Sequence, residues 1–132
     1  MNLQTLNFEA GKTTPAVNAD PISGHFTMIG NSYPENSYEF FGPLIEWLES
    51  YFQASDTGLR MELKVVYMNT SSVKAMMDIF DLLEETHNRG KIISVTWYYD
   101  PRNERVMEMI EEFKEDCSFP FEVIADAESS FV

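Results

Sequence analysis

Cysteine is nearly absent from this sequence of 132 residues, which contains only Cys117. No internal disulfide can form, and such a composition is typical of proteins from a reducing compartment. Residues 1–6 have neither a basic region nor a long apolar region, so they do not look like a signal peptide. No apolar run is long enough to span a bilayer. We therefore expect a cytoplasmic protein that does not insert into membranes.

Basic residues are also scarce, with 9 Lys and Arg against 22 Asp and Glu and a formal net charge of −13 when histidine is neutral. This excess of negative charge repels phosphate backbones and anionic lipid headgroups, so we exclude nucleic acids and membrane surfaces as primary partners. It permits a protein partner with a basic surface.

The motifs of common catalytic and cofactor sites are missing as well. The two histidines, Cys117 and the carboxylates do not cluster at metal-ligand spacing. The six glycines form neither a phosphate-cradling loop nor a dinucleotide-binding motif. We therefore predict no metal, no cofactor and no catalytic residue, and we do not expect an enzyme.

The sequence does contain enough apolar material for one packed domain. Apolar residues make up 44% of it, including ten Phe, six Tyr and two Trp. This length fits a single domain spanning residues 1–132. We expect its two ends, residues 1–12 and 126–132, to be less ordered.

Strand-like and helix-like periodicities alternate along the chain. The clearest strand is Leu59–Met68, where apolar and charged residues alternate. A helix is expected after Asn36, with Glu39 completing a capping box, and Pro43 either kinks that helix or begins it. The further predicted elements are a strand at 25–29 ended by Gly30, Asn31 and Ser32, a helix at 72–88, a strand at 91–99, a helix at 101–116 started by Asp100 and Pro101, and a strand at 119–125.

This order of elements predicts the fold class. Strands that alternate with helices imply right-handed crossovers and neighbouring parallel strands. Because the strands alternate polar and apolar residues, the sheet is not expected to be buried on both faces. The periodicity also places Tyr67 on the buried face of its strand, and Tyr38 and Met77 on the apolar faces of their helices. The predicted fold is α/β, a single two-layer domain with a mixed, largely parallel sheet and helices mainly on one face.

Strand 59–68 runs almost directly into three hydroxyl residues, Thr70, Ser71 and Ser72, and a helix follows. This junction puts Thr70 at a helix N-terminus, where free backbone N–H groups and the helix dipole favour a negative group. One interpretation is that another enzyme phosphorylates Thr70, which adds nearly two negative charges. The other is that the hydroxyls merely cap the helix, which helix-start statistics alone favour by about three to one.

Residues 30–41 form a second candidate region, because residues 31–38 within it are dense in turn-forming and recognition-type side chains. Loop chemistry alone favours an ordinary loop and helix cap here by about two to one. Together the two regions supply the predicted partner-binding residues, which are Tyr33, Glu35, Asn36, Asn69, Thr70, Ser71, Ser72 and Lys74.

Four segments of the sequence, 31–39, 67–78, 100–105 and 115–121, closely resemble the SiaC family of bacterial regulatory phosphoproteins. The most specific parts are the Asn-Thr-Ser-Ser segment and the Ser-Tyr-Pro-Glu-Asn-Ser-Tyr segment, and the likeness covers about residues 13–124. The resemblance implies a STAS-like fold, the class that includes anti-sigma-factor antagonists. It also implies a partner-switching role.

In that family a dedicated, SiaB-like kinase phosphorylates one threonine, which matches Thr70 here, and a PP2C-type phosphatase removes the phosphate. The unphosphorylated protein binds and activates a diguanylate cyclase, which raises cyclic di-GMP and promotes aggregation or biofilm growth. The resemblance thus implies a non-catalytic signalling phosphoprotein with these three partners.

Three other interpretations stay open at this point. The chain can be an anti-sigma-factor antagonist, which would release a sigma factor. It can be a small enzyme in which Cys117 or His87 does the chemistry, although no nucleophile–base or metal pattern supports this. It can also be a passive scaffold whose hydroxyl cluster is only a helix cap.

Overall fold

The computed structural model describes residues 3–126. Within this range the chain forms six strands and three helices. In chain order they are β1 (Leu6–Phe8), β2 (Ala16–Asp20), β3 (His25–Ser32), α1 (Ser37–Ala54), β4 (Leu59–Met68), α2 (Thr70–Asn88), β5 (Ile93–Tyr99), α3 (Glu104–Glu115) and β6 (Phe121–Ala125).

The six strands form one sheet in which spatial order equals chain order. Strands β1, β2 and β3 pair antiparallel, whereas β3 to β6 are parallel and each crossover contains one helix. All three crossovers step in the same direction, so the right-handed rule places their helices on the same face of the sheet. The predicted fold class is therefore confirmed, while the STAS-like comparison stays an expectation.

The core lies between this face of the sheet and the helices. On β4, Met61, Leu63 and Val65 are buried, while the alternate residues Glu62 and Lys64 lie on the open face and are only partly covered. Aromatic rings fill much of the space under the helices. The Trp97 ring stacks on Phe113 with centroids 5.7 Å apart, and the Trp47 ring stacks on Tyr51 at 5.2 Å.

The N-terminal part of the chain is more regular than its sequence indicates. Strand β2 was not predicted. Strand β1 agrees with a short strand that the apolar residues Leu3, Leu6 and Phe8 indicate, although it falls within the segment that was expected to be less ordered. The Trp47 Nε1 group donates to the Gln4 carbonyl at 2.7 Å, which attaches this segment to α1. The other end that was expected to be less ordered, 126–132, lies outside the described residues except for Asp126.

Two predicted strand features near β3 are wrong for one physical reason. The strand does not end at Gly30, because Gly30 pairs with Val65 and Ser32 pairs with Met68. Between these pairs the register shifts by one residue on β4, a bulge that the positive φ of Gly30 accommodates. The shift breaks the alternation on β4, so Tyr67 is 54% exposed rather than buried.

The predicted start of the last helix is also wrong. The helix begins at Glu104, and its N-cap is Asn103, whose Oδ1 accepts from the Val106 N–H at 3.2 Å. Asp100 instead forms a turn, because its carboxylate accepts from the backbone and guanidinium of Arg102 and its carbonyl accepts from the Asn103 N–H. The chain reaches helical geometry only after this turn.

Helices α1 and α2 begin as the sequence indicates, with differences in detail. Asn36 caps α1 and Pro43 lies inside that helix, so Pro43 does not begin it. Helix α2 starts at Thr70, two residues before the predicted start. Tyr38 and Met77 were placed on apolar faces, but they are 82% and 50% exposed. None of the helices in residues 3–126 has the length and apolarity needed to cross a membrane.

Two glycines give a matched test of this fold. Gly24 has a φ of 73°, and an added Cβ would lie 2.3 Å from the Gly58 carbonyl oxygen, so Gly24→Ala should destabilise the domain by about 2–3 kcal/mol. Gly42 is helical and an added Cβ would meet only Tyr38 at 3.9 Å, but Gly42 precedes Pro43, which disfavours a helical residue with a Cβ. The gain in helix propensity and this restriction oppose each other, so Gly42→Ala should change stability by less than about 1 kcal/mol. Urea unfolding followed by circular dichroism measures both. Equal stabilities for the two variants would contradict the backbone assignments.

Candidate functional site

The candidate site is built around Asn69, the single residue between β4 and α2. Its backbone is extended and its Oδ1 accepts from the Ser72 N–H at 2.9 Å, which makes it the N-cap of α2. Its own N–H donates to the Ser32 carbonyl at 3.0 Å, and its Nδ2 donates to the Pro34 carbonyl at 3.4 Å. Asn69 therefore joins the start of α2 to the loop between β3 and α1.

That loop carries the second predicted region, and further contacts hold it in place. The Tyr33 N–H donates to the Thr13 carbonyl at 2.8 Å, and its hydroxyl donates to the Lys12 carbonyl at 3.0 Å. The Tyr33 ring meets Tyr67 edge-on, with centroids 5.8 Å apart. Asn36 Oδ1 accepts from the Glu39 N–H at 3.2 Å, as the predicted cap requires. The structure thus brings the two predicted regions together at one edge of the domain.

The three adjacent hydroxyls at the start of α2 have different environments. Ser72 is fully buried, and its Oγ lies 2.8 Å from the Oγ of Ser32. Ser71 donates to Asn69 Oδ1 at 3.2 Å and accepts from the Ser37 hydroxyl. Thr70 is exposed, and no group in residues 3–126 hydrogen-bonds to its side chain. Of the three, Thr70 alone offers an unengaged hydroxyl to solvent.

The helix cap is the Asn69 side chain, so the interpretation that Thr70 serves as the cap is wrong. A capping hydroxyl must accept from an N–H further along the helix, and Asn69 already accepts from Ser72. The side chains of Asn69, Ser71 and Ser72 make the hydrogen bonds that hold the junction together, whereas the Thr70 hydroxyl makes none of them.

The electrostatic surroundings of Thr70 favour an anion. The first turn of α2 contains no acidic residue, and the N–H groups of Thr70 and Ser71 have no acceptor within the described part of the chain. Lys74 lies one turn further along the helix and is exposed, and none of the described carboxylates pairs with it. A negative group on Thr70 would meet free N–H donors, the positive end of the helix dipole and one cation.

Two features of the site escaped the sequence analysis. Ser32 and Ser37 reach Ser72 and Ser71 across 40 and 34 residues of chain, and no local pattern signals such contacts. The exposure of the Tyr67 ring is weakly indicated by the sequence, because a glycine inside a neighbouring strand, here Gly30, often marks a bulge. Glu35, which was predicted to bind a partner, is exposed on the loop and makes no contact among residues 3–126 that would give it a structural role.

The residues of the enzyme interpretation are not arranged as a catalytic pair. Burial, together with the smaller effect of the nearby carboxylates of Glu84, Asp116 and Asp81, raises the pKa of the Cys117 thiol to about 11. The Cys117 Sγ donates to the Phe113 carbonyl at 3.3 Å. The His87 ring lies edge-on to Phe119, and its buried Nδ1 has no hydrogen-bond partner within residues 3–126. The thiol is therefore neutral near pH 7, and no base within residues 3–126 bonds to it.

These features define a regulatory interaction domain of the α/β class, with an unengaged hydroxyl on an ordered surface. Among the described residues no group of three or more His, Cys, Asp or Glu is placed to hold a metal ion. Residues 8–126 match the model of the SiaC family regulatory phosphoproteins. The chain belongs to this family.

Individual relatives agree with this assignment. An uncharacterized protein of Pseudomonas aeruginosa (strain UCBPP-PA14) is 50% identical over 126 residues, which cover 96% of this chain and 100% of the relative. The crystal structure of apo-SiaC from Pseudomonas aeruginosa has 49% sequence identity and a TM-score of 0.89, over 92% of this chain and 99% of that chain. A second crystal structure holds the diguanylate cyclase SiaD in complex with its activator SiaC from Pseudomonas aeruginosa. It matches with 51% identity and a TM-score of 0.89, over 92% of this chain and 99% of that chain.

Substitutions can show that Asn69 both caps α2 and holds the loop before α1. Asn69→Ala should destabilise the domain by about 1–2 kcal/mol, because the cap and the tie to Pro34 are both lost. Asn69→Asp keeps the acceptor and should cost less. Asn103→Ala, which removes the cap of α3, is the matched control. Urea unfolding gives the stabilities, and amide NMR shifts of Tyr33 should move in the Asn69 variants only. Unchanged Tyr33 shifts would contradict the junction described above.

The turn at Asp100 should make the stability of the fold depend on pH in the acidic range. Hydrogen bonds from the Arg102 side chain and backbone lower the pKa of this carboxyl from 3.8 to about 2. A folded-state pKa below the unfolded value means that the carboxylate stabilises the fold above pH 3.8, and this contribution disappears as the pH falls towards 2. Carboxyl NMR titration should find the low value, and Arg102→Ala should return the pKa towards 3.8. A titration that is identical in the two proteins would contradict the turn.

Proposed function

We propose that this chain is a non-catalytic signalling protein of the cytoplasm that binds and activates a diguanylate cyclase, and that reversible phosphorylation of Thr70 ends this binding. The observation that carries the proposal is the unengaged, exposed hydroxyl of Thr70, beside neighbours Ser71 and Ser72 whose hydroxyls are hydrogen-bonded. Family membership and the solved complex of SiaD with its activator SiaC support the choice of partner. Through the cyclase the protein would control cyclic di-GMP and biofilm growth or aggregation.

The proposed mechanism is a change of charge within a contact surface. A neutral Thr70 can lie against a partner at little cost, whereas a dianion there is costly to desolvate unless the partner supplies cations. The exposed rings of Tyr33 and Tyr67 adjoin this point and would contribute apolar contact area. Phosphorylation would thus weaken the cyclase complex mainly through the interface.

The remaining partners follow from the same proposal. A SiaB-like kinase would add the phosphate and a PP2C-type phosphatase would remove it, and both need access to the Thr70 side chain. That side chain is exposed, whereas Ser72 is fully buried and inaccessible to either enzyme. The proposed contact residues are Tyr33, Glu35, Asn36, Asn69, Thr70, Ser71 and Lys74. Ser72, which was also predicted to bind a partner, has no exposed surface and cannot contact one directly.

The Thr70 assignment predicts opposite effects for two substitutions. Thr70→Val keeps the branched shape, so it should abolish phosphorylation and leave cyclase binding within about twofold of wild type. Thr70→Glu should weaken binding about tenfold or more, although a carboxylate imitates a phosphate poorly. Affinity and cyclic di-GMP production are measured with purified SiaD of Pseudomonas aeruginosa, and peptide mass spectrometry locates the phosphate.

The control for added charge is Thr57→Glu, which changes an exposed threonine in the loop before β4. It should bind SiaD as the wild type does. A Thr70→Val protein that is still phosphorylated at the full rate would show that Thr70 is not the modified residue. If the wild-type protein binds an anti-sigma factor and leaves SiaD inactive, the partner is the anti-sigma factor and the cyclase assignment is wrong.

A further inference from the structure

A groove runs between α2 and α3 and begins at the end of β4, just before Thr70. The part of the groove next to β4 encloses about 310 Å³, and Met68 and Arg105 are among its lining residues. The part further along the helices encloses about 240 Å³ and contains Val73 of α2. Met109 of α3 lines both parts, so the groove is continuous. Thr70 lies in the chain between two of its lining residues, Met68 and Val73.

The helical repeat places Thr70 and Arg105 on the facing sides of these two helices. Thr70 is three residues before Val73 and seven before Met77, which both line the groove, and residues at this spacing share one helix face. Arg105 is four residues before Met109 and lines the groove itself. The two helices run parallel, because each connects two neighbouring parallel strands on the same face of the sheet.

The two residues are also at the same height along the helices. Val73 and Met109 line the same part of the groove. One turn earlier on each helix, Thr70 therefore lies opposite Arg105, with axes separated by about 8–10 Å as in other packed helices. Two long side groups, a phosphothreonine and an arginine, can span such a separation.

Arg105 is the one arginine whose charge has no partner among residues 3–126. The other three, Arg60, Arg89 and Arg102, each form an ion pair with a carboxylate. Arg105 is exposed and forms no such pair, although Glu108 follows one turn later on the same helix. It is also the only charged residue, within the described part of the chain, that lines the groove next to β4. Its guanidinium is therefore available to an anion that comes from outside α3.

The charge along the groove changes sign. Four carboxylates line the part further from Thr70, and none of the described cations lies among them: Asp81, Glu112, Glu115 and Asp116. At the Thr70 end the charged groups are cations, Arg105 on α3 and Lys74 one turn after Thr70 on α2. An anion attached to Thr70 is therefore attracted to the end that holds Arg105 and repelled from the other.

We propose that Arg105 is the internal receptor for a phosphate on Thr70, so that its guanidinium binds the phosphate across the mouth of the groove while Lys74 binds it from α2. The proposal rests on the proposed function, which supplies the phosphate. A guanidinium group matches phosphate oxygens with two parallel N–H···O bonds, which an ammonium group cannot do. Helix α3 thereby gains a part in the switch, because the phosphorylated turn of α2 is tied to it and the free arginine of the surface is consumed.

The protonation of the phosphate measures this contact directly. Phosphothreonine is incorporated at position 70 during translation, which gives a uniform sample without any kinase. Since a bound cation favours the dianion, the pKa of the phosphate, followed by phosphorus NMR, should be about one pH unit lower in this protein than in its Arg105→Gln variant. Arg105→Lys keeps the charge without the paired N–H groups and should give an intermediate value.

The matched control is Lys114→Gln. It also removes one unpaired cation from an exposed position of α3, but at the far end of the helix. The pKa of the phosphate should stay at the value of the parent phosphoprotein, and circular dichroism should be unchanged in all variants. A second readout needs no substitution, because phosphorylation should shift the side-chain Nε–H resonance of Arg105 and leave that of Arg89 in place.

The outcomes separate this inference from the proposed function. An equal phosphate pKa with and without Arg105, or an equal change in Lys114→Gln, would overturn the inference. If the phosphoprotein then still fails to bind SiaD, the proposed function stands without the internal receptor. If the phosphoprotein binds SiaD as tightly as the unmodified protein does, the proposed function is wrong, and the pKa comparison still decides whether Arg105 holds the phosphate.

Discussion

The hydrogen bonds of Asn69 hold the functional edge of this domain together. One amide side chain caps α2 through Ser72 and reaches Pro34 in the loop before α1, while its backbone N–H bonds Ser32 at the end of β3. These bonds fix the first turn of a helix against a loop 35 residues away in the chain. Because a helix N-terminus has several N–H groups without internal acceptors, the residue that satisfies one of them also decides which others stay available. Asn69 leaves those of Thr70 and Ser71 directed to the surface.

The layer arrangement places the start of α2, where the proposed binding residues lie, beside the other helices. Three successive crossovers in one direction place α1, α2 and α3 side by side, and neighbouring helices leave grooves between them. On the open face of the sheet, several charged side chains already have partners. There His25 and Glu62 are 2.9 Å apart, and Lys64 lies over the ring of Tyr98 at 5.2 Å. The exposed aromatic rings of Tyr33, Tyr38 and Tyr67 instead belong to the segments that adjoin the start of α2.

Local periodicity was sufficient to predict much of the fold. Strand β4 and helix α2 follow the repeats of 2.0 and 3.6 residues closely, so their existence and order are readable from the sequence. Strand β2 was missed because it is short and depends on pairing with β3. Tyr67 was assigned to the wrong face because a bulge in β3–β4 pairing changes the phase. The sequence placed Thr70 at a helix N-terminus, but the bonds from Ser32 and Ser37 depend on tertiary contacts that no local pattern encodes.

A reversible modification that leaves the fold intact needs a residue that is exposed and makes no structural contact with its side chain. Thr70 meets these conditions because its neighbours perform the structural work: Asn69 caps the helix, and the hydroxyl of Ser72 is bonded in the interior. A phosphate on Thr70 would interact favourably with the helix dipole, so the fold should persist when the charge changes. Phosphorylation would then lower the stability of the complex with the partner and leave the stability of the fold largely unchanged. Under the proposed function, this is how a small domain changes partners without a large conformational change.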